Sequence, residues 1–267
     1  MGGLIARAAA ILLAATPLRA DVALRHIPTD APCPPLLLLS HGFGGSERAF
    51  GNLAKDTAKL GYDTWVMGHD LSGNGSFRAI NNAPNRRKAL IDAISEPAMH
   101  DERAEDIGTA LDIILASRAC APPFKVLGGH SIGAHTTLVE AGAKDRFGTQ
   151  GHNRFDAYVA MSPQGEGPLF APDSWGDITK PLVIVTGTRD GGVAGAWRWR
   201  LGVFDGLADN GLNWFAVVDG ANHMQVGGNG PSPEAARVRK IVVDFLGGVM
   251  SGDMGLKPRA GVDIRHR

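Results

Sequence analysis

One serine in this chain has glycine two positions away on each side: Gly129-His130-Ser131-Ile132-Gly133. It follows a β-prone run at 124–127 and opens a helix-like stretch at 132–142. G-x-S-x-G between a strand and a helix is the pattern of a nucleophile elbow. The turn strains the serine backbone, so small residues must stand on either side. It lifts the hydroxyl above the strand end, at the positive end of the next helix. A hydroxyl is a poor nucleophile until a base takes its proton, and the base needs a group to orient it. In this arrangement the order along the chain is Ser, then Asp or Glu, then His. Asp190 stands in Thr186-Gly187-Thr188-Arg189-Asp190-Gly191, just past a β-prone run at 182–186. His223 ends Asp219-Gly220-Ala221-Asn222-His223, just past another at 214–218. Asp219 is a rival acid, assigned to the turn. His130 and His135 are rival bases. The elbow holds the first and the second points along the helix, so His223 suits the role better.

Acyl transfer also needs donors for a developing oxyanion, and backbone amides of a Gly-rich turn supply them. Ser40-His41-Gly42-Phe43-Gly44-Gly45-Ser46 follows the apolar run at 35–39. The expected donors are the amides of Phe43 and Ile132, with the Phe43 ring facing the pocket. No G-x-x-x-x-G-K-[ST] or G-x-G-x-x-G pattern is present, so these glycines do not read as a phosphate or dinucleotide loop. His130, Trp175 and Trp197 are the candidate pocket residues, with core packing as the competing role for the tryptophans. The histidines show no H-E-x-x-H spacing, and the chemistry requires neither metal nor cofactor.

Short apolar runs alternate with helical patterns across the chain. Strands are expected at 35–40, 62–67, 124–127, 157–161, 182–186 and 214–218, and helices at 50–60, 103–117, 132–142, 197–210 and 234–246. In the second helix, Ile107, Ala110, Leu111, Ile114 and Leu115 share the expected buried face. The alternation implies an α/β fold: a mostly parallel sheet with helices on both faces, and Ser131, Asp190 and His223 at one sheet edge. No large cap domain is visible between Met161 and Leu182. The stretch 71–102 is the longest without strand character. It begins as loop chemistry, includes a short helix candidate at 87–95, and is expected to be functional or mobile.

The 267 residues carry 27 Lys+Arg, 27 Asp+Glu, 2 Cys and 44% apolar residues. That suits one large domain and excludes wholesale disorder. Balanced charge argues against a nucleic-acid partner, and two cysteines cannot make a four-thiolate zinc site. Residues 1–20 have the pattern of an export signal, with Arg7, an apolar run at 8–18 and cleavage after Ala20. An apolar run this short falls below the ~20 residues that span a bilayer. The expected organisation is a signal at 1–20, one domain at 21–250 and a flexible tail at 251–267. The mature protein is then exported, periplasmic or secreted, without stable membrane insertion.

Ser40–Ser46 (SHGFGGS), Gly129–Gly133 (GHSIG), Thr186–Asp190 (TGTRD) and Gly220–His223 (GANH) together resemble an α/β-hydrolase. The nearest group is the small bacterial serine esterases similar to dienelactone hydrolases, platelet-activating-factor acetylhydrolases and chlorophyllases. The resemblance runs from about Leu36 to Leu246. It implies the α/β-hydrolase fold, Ser131 as nucleophile, His223 as base, Asp190 as its orienter, and Phe43 and Ile132 as oxyanion donors. It also implies a small-molecule or lipid-like ester as substrate. Dienelactone hydrolases use a cysteine nucleophile, so their substrate does not carry over, and Ala134-His135 departs from relatives that carry a further glycine. In the hydrolase sheet the strand before His41 neighbours the strand before Ser131. Cys33 and Cys120 then lie near one sheet edge, close enough to bridge in an oxidising compartment. The same triad also serves an acyltransferase or an amidase, and a non-catalytic binding protein on this fold is the reading from another class.

Overall fold

The computed structural model describes residues 22–192 and 195–267, so the signal expected at 1–20 lies outside the described residues. Eight strands form a single sheet: β1 (Leu24–Ile27), β2 (Leu36–Ser40), β3 (Asp63–Met67), β4 (Lys125–His130), β5 (Ala157–Met161), β6 (Leu182–Arg189), β7 (Asn213–Asn222) and β8 (Val262–His266). Their order is β1-β3-β2-β4-β5-β6-β7-β8. The six central strands are parallel, and β1 and β8 run antiparallel at the two edges.

The run of leucines in β2 shows why the sheet is buried on both sides. Leu36 and Leu38 enter one core layer, while Leu37 and Leu39 enter the other. Alternate side chains point to opposite faces, so an unbroken apolar strand needs cover on both. One layer is closed by α4 (Pro97–Ser117), α5 (Ile132–Ala141) and α6 (Leu201–Asp205). The other is closed by α1 (Gly51–Leu60) and α8 (Pro233–Ser251). In α4, Ile107, Ala110, Leu111 and Ile114 are buried as expected, whereas Leu115 is exposed. It falls one residue past the stripe that meets the sheet.

The stretch 71–102 carries no strand, as expected, and its helix candidate at 87–95 is α3 (Arg86–Ile94). Two expectations are corrected. Loop chemistry at the start of this stretch gives way to α2 (Asn74–Asn81), and α4 begins early, with Pro97 in its first turn. The flexible tail expected at 251–267 instead ends in β8, paired with β7 from Trp214↔His266 to Val218↔Val262. Few large apolar groups marked this segment. Val262 and Ile264 alternate inward against the second core layer, and backbone pairing closes the edge of β7. Residues 197–210 form a 3₁₀ turn (Trp197–Arg200) and α6, shorter than the helix expected there. β2 and β4 are neighbours, and Cys33 and Cys120, before them, form a disulfide with Cα atoms 5.8 Å apart.

Candidate active site

Ser131 sits between β4 and α5 at φ 57° and ψ −120°, a strained conformation for a residue with a side chain. Close packing explains its glycine neighbours. A Cβ on Gly129 would lie 2.1 Å from the Gly133 carbonyl oxygen, and one on Gly133 would lie 2.0 Å from that of Ser40. The elbow is thus pressed against both β2 and its own helix.

The three expected side chains meet at the C-terminal edge of the sheet. His223 Nε2 lies 3.1 Å from Ser131 Oγ, and His223 Nδ1 lies 2.8 Å from Asp190 Oδ1. His223 opens α7 (His223–Val226), where Asn222 and Gln225 form a reciprocal capping box that fixes the start of the turn. Asp219 lies within β7, not in the turn to which it was assigned, and accepts from Thr188 Oγ1 at 3.0 Å, away from His223 Nδ1, whose carboxylate partner is Asp190. His130 lines the pocket, and its Nε2–H donates to the His223 carbonyl at 2.8 Å, which holds His223 from its backbone. Burial, reinforced by the neighbouring His223, lowers His130 to about 3, so it stays neutral at ordinary pH.

Sequence reasoning missed what surrounds the acid. Asp190 is fully buried and accepts five hydrogen bonds. Its Oδ1 takes His223 Nδ1, Ser162 Oγ at 3.0 Å and Arg200 Nη2 at 2.8 Å. Its Oδ2 takes Thr186 Oγ1 at 2.9 Å and Arg200 Nε at 3.0 Å. Burial on its own would raise the carboxyl. The bond from His223 and the Arg200 guanidinium outweigh it and hold Asp190 well below the usual carboxylate range. Arg200 is equally buried, and its Nη1 donates to the Pro163 carbonyl at 2.5 Å. No local pattern marks an arginine in Trp197-Arg198-Trp199-Arg200 as internal. Ser162, the residue after β5, carried no signal in the sequence.

The turn after β2 is also held from behind. Arg103 on α4 is fully buried and donates to the His41 carbonyl at 2.5 Å, Ser40 Oγ at 2.9 Å, Thr136 Oγ1 at 2.9 Å and Ser72 Oγ. It ties the Gly42–Gly45 turn to α5 and to the 71–102 excursion. Among the described residues the backbone amides of Phe43 and Ile132 donate to no protein acceptor, which leaves both available to a ligand.

A cavity of about 700 Å³ opens beside Ser131, with Phe43, Phe77, Ile80, Leu90 and Trp199 among its walls. Two pocket expectations fail here. Trp175 is buried in the core against Phe170, with ring centroids 5.3 Å apart, and Trp197 packs on that same core layer. In a 3₁₀ turn of three residues, positions 197 and 199 point to different sides, and Trp199 is the one that faces the cavity. The helices α2 and α3 supply the outer wall.

No protein-family model matches the chain, and no curated protein does. Among the described residues no helix is long and apolar enough to cross a membrane.

Proposed function

We propose that the protein is a serine hydrolase of the α/β-hydrolase fold that cleaves carboxylic esters through an acyl-enzyme. The carrying observation is His223, in reach of Ser131 Oγ through one ring nitrogen and of buried Asp190 through the other. The strand order, with its antiparallel edge before the first parallel pair and the elbow at the end of β4, supports the fold assignment. His223 takes the Ser131 proton as the hydroxyl attacks the ester carbonyl, and Asp190 stabilises the imidazolium that results. The amides of Phe43 and Ile132 receive the oxyanion. His223 then protonates the leaving alcohol, and water activated by the same ring releases the acid. No cofactor takes part in these steps.

The apolar walls beside Ser131 suit an ester with a medium-sized apolar acyl or alcohol group. A disulfide between Cys33 and Cys120 supports an exported, oxidising location. The test is labelling by a fluorophosphonate probe together with turnover of p-nitrophenyl esters of increasing chain length. Native protein is expected to label and turn over, and Ser131→Ala to do neither. Equal labelling of Ser131→Ala, or inert native protein, refutes the proposal.

A further inference from the structure

A second cluster of polar groups lies in the interior, around a cavity that shares no lining residue with the one beside Ser131. His100 on α4, His135 on α5 and Asp145 after α5 each offer a ligand atom, and these atoms all lie within 4.8 Å of one another. The side chains of His135 and Asp145 have essentially no exposed surface, and His100 is buried as well. Among the described residues, His100 Nδ1, both ring nitrogens of His135, Asp145 Oδ2 and the hydroxyl of Thr149 have no hydrogen-bond partner. Groups of this kind are rarely left unpaired in an interior, because each forfeits its hydration without return.

Two of the three residues have their other polar atom engaged, which leaves the unpartnered one to the cluster. His100 Nε2–H donates to the Ile94 carbonyl at 2.8 Å, which leaves Nδ1 as a bare lone pair. Asp145 Oδ1 accepts from the amides of Phe147 at 3.1 Å and Thr149 at 3.0 Å, which turns Oδ2 inward. Such outer partners orient metal ligands and fix the imidazole tautomer. Between His100, His135 and Thr149 lies a cavity of about 10 Å³, room for a single small occupant.

We propose that His100, His135 and Asp145 form a structural zinc site that pins α4, α5 and the 145–149 loop together. The spacing favours an ion over a direct hydrogen bond. His135 Nε2 and Asp145 Oδ2 are 3.7 Å apart, too far to bond to each other. Two ligand atoms at 2.0–2.1 Å from a tetrahedral ion stand roughly 3.3–3.4 Å apart, so this pair must close by a few tenths of an ångström, and the other pairs, all within 4.8 Å, by no more than roughly 1.4 Å. Two imidazoles and one carboxylate select zinc over calcium or magnesium, which prefer all-oxygen sets. Thr149, whose hydroxyl also lacks a partner, lines the same cavity. The competing occupant is one buried water.

The experiment is equilibrium dialysis of untagged, EDTA-stripped protein against Zn²⁺, with Tm followed in parallel and Co²⁺ as a spectroscopic substitute. Expected are one zinc per chain, a Tm that climbs with the logarithm of free zinc above Kd, and the visible d–d absorption of tetrahedral Co²⁺. Asp145→Asn keeps an oxygen for the Phe147 and Thr149 amides, so it preserves the loop, and should weaken binding by ~100-fold or more. His135→Gln should do the same. Absence of saturable zinc binding with an unmoved Tm assigns the cavity to water and overturns the proposal. Binding that survives both substitutions places the ion elsewhere and overturns it too. None of these readouts depends on ester hydrolysis.

Discussion

The five-donor environment of Asp190 makes a double-substitution cycle with Arg200 the most informative perturbation. Asn at position 190 has one acceptor oxygen in place of two. If its NH₂ replaces Oδ1 it faces His223 Nδ1 and Arg200 Nη2, and if it replaces Oδ2 it faces Thr186 and Arg200 Nε. Either way an N–H of the guanidinium meets an N–H, and Arg200 is left as a buried cation without its anion. Breaking one partner of a buried pair costs about 3–5 kcal/mol, so Asp190→Asn should lose stability of that order. Turnover should fall by ~10³–10⁴, about 4–5.5 kcal/mol of barrier, because His223 loses both its orientation and the charge that stabilises its imidazolium. Arg200→Met alone removes two donors but leaves Ser162, Thr186 and His223 on the carboxylate, so its stability loss should sit near the lower end, ~3 kcal/mol. The double variant removes both charges and should recover about 2–3 kcal/mol relative to the sum of the singles. It should recover none of the turnover. Urea unfolding measures the first quantity and p-nitrophenyl ester hydrolysis the second. Additivity within ~0.5 kcal/mol would refute the charge-compensating pair. Turnover of Asp190→Asn within tenfold of native would refute Asp190 as the orienting acid.

Stability should fall steeply in acid. Burial lowers His41 and His130 from 6.5 to about 3. Between those values the unfolded chain binds protons that the native state refuses, so stability is complete above pH 6.5 and declines toward pH 3. The slope is ~1.4 kcal/mol per pH unit for each ring, roughly 3 for the pair, and the lowered His100 and His135 add in the same direction. Urea midpoints that are flat between pH 7 and 5 would contradict neutral burial of these rings. Reducing Cys33–Cys120, which spans 87 residues, should destabilise the fold by up to ~4.5 kcal/mol on chain-entropy grounds. Two thiols that titrate in denatured protein before any reductant is added would show the bridge is not formed. Arg103→Met frees the His41 carbonyl and should lower kcat by roughly tenfold to a hundredfold with little change in KM, through a displaced Phe43 amide. A change confined to KM would refute that positioning role.

The meeting of Ser131, His223 and Asp190 was legible because each is tied to a local signal: Gly129 and Gly133 around Ser131, and a β-prone run ending just before Asp190 and His223. Strand ends are local, and a parallel sheet gathers all its C-terminal ends on one edge, so local signals sufficed to bring distant residues together. Most strands were legible for the same reason, since LLLLS, AYVAM and LVIVT are too apolar for anything but a strand covered twice. The two edge strands were not: β1 was not expected, and VDIRH of β8 is held mainly by backbone bonds to β7, which leave no mark on composition. The helix α2 was obscured by Gly73, Gly75 and a short, weakly apolar face.

What composition and spacing specified, then, was the sheet, its buried faces and the order of the reactive groups. Which side chains stand behind those groups was settled in three dimensions. Arg200 and Arg103 look like surface arginines in the chain, and only the convergence of Asp190, Ser162 and Pro163 on one, and of His41, Ser72 and Thr136 on the other, makes burying a guanidinium tolerable. Trp199 rather than Trp197 reached the pocket because the pitch of a short helical turn chose the direction, while Trp175 went into the core against Phe170. The cluster of His100, His135 and Asp145 is scattered over three segments, and no spacing rule connects them. Their shared interior exists only after α4 packs on α5.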